Sequence, residues 1–277
     1  MIPSPPHFGR YETLLLRDGV FEAPSDAIAH ADGEAARQRA IERFGKPAIR
    51  LDVNCFVLRN ADGITLVDTG AGASWGPAFG LSRTALAAAG IAPEQVDRVL
   101  LTHLHEDHAL GLFEGEAAYF PRAEIWVPQT DLAFFSDPEA RERLPEARRG
   151  GFVMAERVGQ VYGKRMRAIP DGVVMEGIEA VPLPGHTPGH TGYLVHDPDG
   201  SLLIWGDLLH IESLQPGEPE IGLMFDSDLH LAARTRRATL DRAAREGWFV
   251  AGGHIGGFAR VERTTEAFRL VPAQATA

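Results

Sequence analysis

Val99-Leu-Leu-Thr102-His103-Leu-His105-Glu-Asp107-His108 is the stretch on which the reading of this chain turns. An apolar, strand-like run leads directly into four metal-ligand residue types within six positions. Alternate residues of an extended strand end point the same way, so His103 and His105 can grip one cation together. The turn that follows presents Asp107 and His108 to a second. Packing does not explain the cluster, because buried imidazoles and a carboxylate without partners would cost several kcal/mol. The pattern predicts a two-metal site.

The same device recurs downstream. Pro184-Gly-His186-Thr-Pro-Gly-His190-Thr-Gly192 follows an apolar run and carries enough Gly and Pro to force a tight, rigid loop. Leu202-Leu-Ile-Trp-Gly206-Asp207 sets a carboxylate at a strand end, where burial would demand a cation. Trp248-Phe-Val-Ala-Gly-Gly-His254 repeats strand, glycines and histidine. Each is weak evidence alone, but four strand-end ligand clusters in order are not independent.

Further strand signals surround these motifs. Short β-branched and aromatic runs occur at 54–58, 64–67, 98–102, 124–127, 177–183, 193–196, 202–205 and 248–251. Helical signals fall at 82–89, 137–149 and about 228–245, the last with Ser227 or Asp228 as N-cap and Gly247 beyond its end. No repeat and no low-complexity linker divides the chain, which predicts a single domain over 1–277 with a partly helical insertion near 128–171.

Composition narrows the chemistry. Of 277 residues 44% are hydrophobic, enough for a real core, and no apolar run is long enough to span a membrane. The net charge of -11 opposes binding to nucleic acid. With one cysteine, Cys55, read as a small core residue, any metal must be held by carboxylates and some of the 11 histidines. The proline-rich start lacks a basic head and an apolar stretch, so a cytoplasmic protein that begins at Met1 is expected.

Val67-Asp68-Thr-Gly70, Thr102 to His108, the Pro184 to His190 loop, Gly206-Asp207 and Gly253-His254 together resemble the motifs of metallo-β-lactamase-fold hydrolases. The resemblance implies an α+β fold, a four-layer αββα sandwich of two mixed sheets, with a dinuclear site at one edge. It also implies that His103, His105 and His186 hold one ion, that Asp107, His108 and His254 hold the other, and that Asp207 bridges them. Asp68 would orient the ligand loops and His190 would be structural. Two divalent cations sharing a water depress its pKa, so a bridging hydroxide is the expected nucleophile. Zinc is the default, with Fe, Mn or Co also accepted by such donors.

Within the superfamily the chain is most similar to the methyl parathion hydrolase-like and lactonase branch, through Gly206 to His210, Phe225 to Asp228 and Phe268 to Pro272. That implies a lactone or ester substrate of small, largely apolar character, such as an N-acyl homoserine lactone or an aryl lactone. It leaves promiscuous hydrolysis of organophosphate triesters open. A homodimer is the assembly the related group suggests. A bridging aspartate argues against a true zinc β-lactamase, and only 23 residues after His254 argue against the thioester-binding region of a glyoxalase II. These remain the rival enzymes, and a metal-dependent ligand sensor is the rival from another class. His210 stands where lactonases often carry a tyrosine, and is a candidate for bonding substrate or protonating the leaving alkoxide. Phe134, Phe135 and Phe225 are candidates for an apolar pocket wall. His7, His30, His196 and His230 are expected on the surface or in loops, and Arg234, Arg236 and Arg237 on a solvated helix face or an interface.

Overall fold

Phe56, Val57 and Leu58 are consecutive on one strand and all buried, yet successive side chains on a strand point to opposite faces. The strand must therefore be covered on both sides. Phe56 and Leu58 join Val67, Leu100, Tyr193, Val195 and Ile204 in a core between two sheets. Val57 turns the other way with Cys55, Leu66, Val99 and Leu101, beneath Leu86, Phe152 and Val158 of the covering helices. On the second sheet Leu194, Leu203 and Val250 face Leu240 and Ala243 of a helix in the same manner. The four-layer αββα sandwich of two mixed sheets implied by the sequence motifs is thus present.

The computed structural model describes residues 6–265 and 267–273, so the first five residues of the proline-rich start lie outside it. The first sheet is built in chain order from β1 (His7–Phe8), β2 (Tyr11–Pro24), β3 (Ala48–Asn60), β4 (Gly63–Val67), β5 (Val96–Leu100), β6 (Glu124–Pro128) and β7 (Met166–Ile169). The second runs β8 (Gly172–Met175), β9 (Ile178–Pro182), β10 (Thr191–Val195), β11 (Leu202–Ile204), β12 (Phe249–Ala251), β13 (Ala259–Arg263) and β14 (Phe268–Pro272). Most neighbours are antiparallel, but β4, β5, β6 and β7 pair in parallel, as do β11 and β12. The α-helices of the described residues are α1 (Glu34–Phe44), α2 (Leu81–Ala88), α3 (Glu106–Ala109), α4 (Gln129–Phe135), α5 (Pro138–Arg143), α6 (Gly150–Tyr162) and α7 (Leu229–Glu246).

Several elements depart from the sequence reading. The long hairpin partner β2 carries a register shift between Arg17 and Gly19, which breaks the alternation that would have marked it. Helix α1 gave no separate signal, and β7 closes the stretch 128–171 as an edge strand after three helices. The helix expected over 137–149 ends at Arg143, and a 3-10 turn at Glu146–Arg148 precedes α6. The C-terminal helix matches closely: the Asp228 carboxylate accepts from Leu231 N at 2.8 Å, and Gly247 ends it with a left-handed φ of 65°.

Two expectations about burial are overturned. His30 is buried, its Nε2 2.8 Å from Glu218, whereas His7, His196 and His230 are exposed as read. Arg236 is 1% exposed while its neighbours Arg234 and Arg237 face solvent. On α7 the helical period turns position 236 inward with Ala233 and Leu240, so one member of the arginine cluster belongs to the interior. Cys55 is buried as expected, and burial pushes its thiol well up. Among the described residues no helix is long and apolar enough to cross a membrane.

Candidate metal centre

Parallel strands end at the same edge of a sheet, and here two parallel pairs end face to face. Asp68 follows β4 and Leu101 to His105 follow β5; Asp207 follows β11 and His254 follows β12. The loop from Leu183 to His190, between β9 and β10, closes the ring. Two groups of donors result, His103, His105, His186 and Asp207, and Asp107, His108, Asp207 and His254, with the donor atoms of each within 4.8 Å of one another.

Asp207 belongs to both groups. Its Oδ2 lies 3.1 Å from His254 Nε2, 3.2 Å from His186 Nε2 and 3.8 Å from His103 Nε2. Its Oδ1 lies 3.1 Å from His108 Nε2 without making a hydrogen bond. Asp107 Oδ2 is 3.4 Å from His254 Nε2 and 3.6 Å from His108 Nε2. His105 Nδ1 and His186 Nε2 are 3.0 Å apart.

The far nitrogens are tied down. His108 Nδ1 meets Asp68 at 2.8 Å, His186 Nδ1 meets Asp226 at 2.9 Å, and His254 Nδ1 donates to the carbonyl of Asp52 at 2.7 Å. These contacts occupy Nδ1 and turn Nε2 inward, the orientation an imidazole ligand needs. His190 differs: its Nδ1 donates to Leu183 O at 2.8 Å, and its Nε2 accepts from Asp207 N at 3.0 Å. With both nitrogens engaged, it braces the backbone that carries Asp207. Gly206 is required there, since its φ is 53° and a Cβ would lie 2.6 Å from His190 Nε2.

Asp68 is the one non-glycine residue with positive φ, 58°, among the described residues. In that position its carboxylate accepts from Thr102 N and Thr102 Oγ1, both at 2.8 Å, as well as meeting His108. Local strain is thus balanced by three bonds that link the end of β4 to the ligand turn after β5.

Burial and mutual proximity set the protonation. Burial and the neighbouring His186 push His105 down to about 3, and His190 is likewise held at about 3. Burial also lowers His103, with His108 and His105 adding to it. Burial opposes charge on His254 too, yet Asp207 and Asp107 overcome it and raise it to about 10. Asp207 is held well below the usual carboxylate range because His108, His254 and His210 outweigh its burial.

His210 is drawn into this centre. It is buried, its ring stacks on His254 at 4.9 Å, and its Nε2 lies 3.2 Å from Asp207 Oδ2. Burial lowers it to about 4. Phe135 packs into the core with its ring 6.3 Å from that of His105, Phe134 packs on Phe152, and Phe225 is exposed beside Asp226.

Asp131 and Asp226 went unread in the sequence as participants, and Arg236 was expected on a solvated face or an interface. Asp131 is fully buried and accepts from Leu104 N at 2.9 Å, Thr187 Oγ1 at 2.5 Å and Gly189 N at 3.2 Å. Asp226 holds His186 and faces Arg236 Nη2 at 3.5 Å. Arg236 also donates to the carbonyls of Leu208, Pro219 and Ile221 at 2.7–2.8 Å. Asp131 reads as an ordinary acid in a first helical turn, and Asp226 is masked by the N-cap Asp228 two residues on.

Residues 48–254 match the Metallo-beta-lactamase superfamily. YobT, an uncharacterized protein of Bacillus subtilis (strain 168), is 26% identical over 160 residues, 57% of this chain and 63% of YobT, so the match spans less than two thirds of that relative. The probable metallo-hydrolase Rv2300c of Mycobacterium tuberculosis is 26% identical over 221 residues, covering 71% of this chain and 69% of the relative. Among solved structures, hydrolase AbOPH of the β-lactamase superfamily superposes with a TM-score of 0.86 at 25% identity, covering 98% of this chain and 97% of that one. AidC, a dizinc quorum-quenching lactonase in complex with the product N-hexanoyl-L-homoserine, shares the fold with a TM-score of 0.81 at 20% identity over 98% and 97% of the two chains. The matched span contains all seven donors drawn together at the sheet edge, and the chain belongs to the metallo-β-lactamase superfamily.

Proposed function

We propose that the chain is a dinuclear metal-dependent hydrolase that opens a lactone or cleaves an ester of a small, largely apolar substrate. The observation that carries the reading is a concentration of unmet polar atoms. His103 Nε2, His108 Nε2 and Asp207 Oδ1 are buried at one point without hydrogen-bond partners. Each such atom costs about 1–3 kcal/mol when left unpaired, so the donor set fits divalent cations and is poorly explained without them. His103, His105 and His186 would hold one ion, Asp107, His108 and His254 the other, with Asp207 between them. Zinc suits these donors, as do Fe, Mn and Co.

When bound, such a pair supplies Lewis acidity and an acidified water. The chain's own residues do the rest. Asp68, Asp226 and the Asp52 carbonyl fix three imidazole rings with Nε2 aimed inward. His210, which meets Asp207 through Nε2 at 3.2 Å, is the residue placed to exchange a hydrogen bond or a proton with the leaving oxygen. The fold neighbour solved with N-hexanoyl-L-homoserine supports an acyl lactone as substrate.

Initial rates on homoserine lactones of varied chain length, aryl lactones, aryl esters, a phosphotriester, a cephalosporin and a glutathione thioester test the substrate. Lactones or esters should lead the panel, and a 100-fold preference for the β-lactam or thioester would overturn it. Metal analysis of protein from defined medium tests the centre: about two ions per chain are expected, and fewer than two sinks the dinuclear reading. His210→Phe should keep both ions and lose at least about 10-fold in kcat on the best substrate. An unchanged rate removes its catalytic role.

A further inference from the structure

We infer that Asp131 is the positioning residue of one half of the metal centre, setting the spacing of the His103, His105 and His186 donors and thereby the affinity of that ion alone. The inference rests on the dinuclear reading above. The carboxylate touches no donor atom of either group. It instead receives the backbone N–H of Leu104, which lies between His103 and His105, and both Thr187 Oγ1 and Gly189 N from the loop that begins at His186. Those two segments are 83 residues apart in the chain, counting from Leu104 to Thr187, and come from different sheets. Asp131 is 0% exposed, and the loop is drawn so close to it that a Cβ on Gly189 would lie 2.0 Å from Asp131 N.

A carboxylate can accept all three bonds, because every partner is a donor. An asparagine cannot: its amide N–H₂ must face either the Leu104 N–H or the Gly189 N–H, neither of which can accept, and repels the one it meets. Substitution by Asn therefore keeps the volume and separates the two segments on one side. The other half of the centre has independent supports, with Asp68 on His108, the Asp52 carbonyl on His254, and Asn54 Nδ2 donating to Gly252 O and Ile255 O around it. Loss of the Asp131 bonds should leave that half standing.

The test is metal stoichiometry and affinity, read by chelator competition and elemental analysis, with no need of turnover. Asp131→Asn should weaken one of two ions by about 10–100-fold and leave the other unchanged. The double variants identify which. In a His254→Ala background, where the second half is already damaged, adding Asp131→Asn should remove the remaining ion. In a His105→Ala background, adding it should change nothing further. Thr187→Val, which deletes one of the three donors, should give a smaller loss of the same ion and serves if Asp131→Asn does not fold. Two ions held as tightly as in the wild type, or equal weakening of both, would overturn the inference. A wild-type chain that binds two ions yet hydrolyses nothing on the panel defeats the substrate assignment and leaves Asp131 in place. A wild-type chain with fewer than two ions defeats both.

Discussion

The two halves of the centre share Asp207 but are held by opposite means. The half with Asp107, His108 and His254 contains a carboxylate of its own, and its rings are fixed by Asp68 at the end of β4 and by the Asp52 carbonyl on β3. The half with His103, His105 and His186 has three imidazoles and no private carboxylate, and its negative charge stands one layer back on Asp131 and Asp226. Asp226 is in turn anchored by the buried Arg236. Charge next to an ion attracts it directly, whereas charge behind an imidazole acts by fixing the ring and raising its basicity. On the proposed dinuclear reading, one half is built on direct charge attraction and the other on alignment.

The largest test of this contrast is Asp207, the group common to both halves. Asp207→Ala should leave fewer than one tightly held ion per chain and lower hydrolysis by about 1000-fold or more, since several kcal/mol of electrostatic stabilisation depend on the paired site. A variant that retains two ions would break the picture of a shared donor.

Arg236 comes next, because it tests whether alignment in the imidazole half depends on a distant buried charge. Arg236→Met leaves Asp226 buried without its cation, and uncompensated charge of this kind costs about 3–5 kcal/mol of stability. Denaturant unfolding should show that loss, while Arg237→Met on the exposed side of α7 should stay within about 0.5 kcal/mol. Equal effects of the two substitutions would remove Arg236 from the argument.

Asp68→Asn sharpens the comparison from the other side. It should weaken the ion of the carboxylate-bearing half by about 10–100-fold, mirroring Asp131→Asn on the imidazole half. If chelator titration finds both substitutions acting on one and the same ion, the two supports are not separate.

A last test is the pH dependence of the metal-free protein. His105 and His190 sit at about 3 when folded and near 6.5 in their ordinary state, so the unfolded chain binds protons that the folded chain refuses. Their contribution is intact above pH 6.5 and is lost progressively as pH falls from there toward 3. His254, raised to about 10, acts in the opposite sense, adding stability below 6.5 and losing it as pH rises through 10. Melting temperature against pH should therefore fall on the acid side. A flat profile from pH 7 to 4 would contradict the neutral, buried state of His105 and His190.

Much of this architecture is legible in the sequence. Strands 54–58, 64–67, 124–127 and 202–205 fall within or next to β3, β4, β6 and β11, because strands buried on both faces spell near-continuous apolar runs. The donors were legible because they stand where such runs stop. β2 was not, since Arg17-Asp18-Gly19 interrupts it at a bulge, and Asp18 there is buried to accept from Gly72 N at 3.0 Å.

By itself, then, the sequence determined the sandwich and the donors, through alternation of apolar residues and through ligand types packed within a few positions of a strand end. Only the tertiary structure decided which remote charges serve them. Arg236 shows only its place on the inward face of α7, and Asp131 and Asp226 carry no local mark, because a buried acid looks in sequence like any solvated one. Its burial is settled by partners such as Leu104 N, Thr187 Oγ1 and His186 Nδ1, which the fold brings from 27 to 56 residues away.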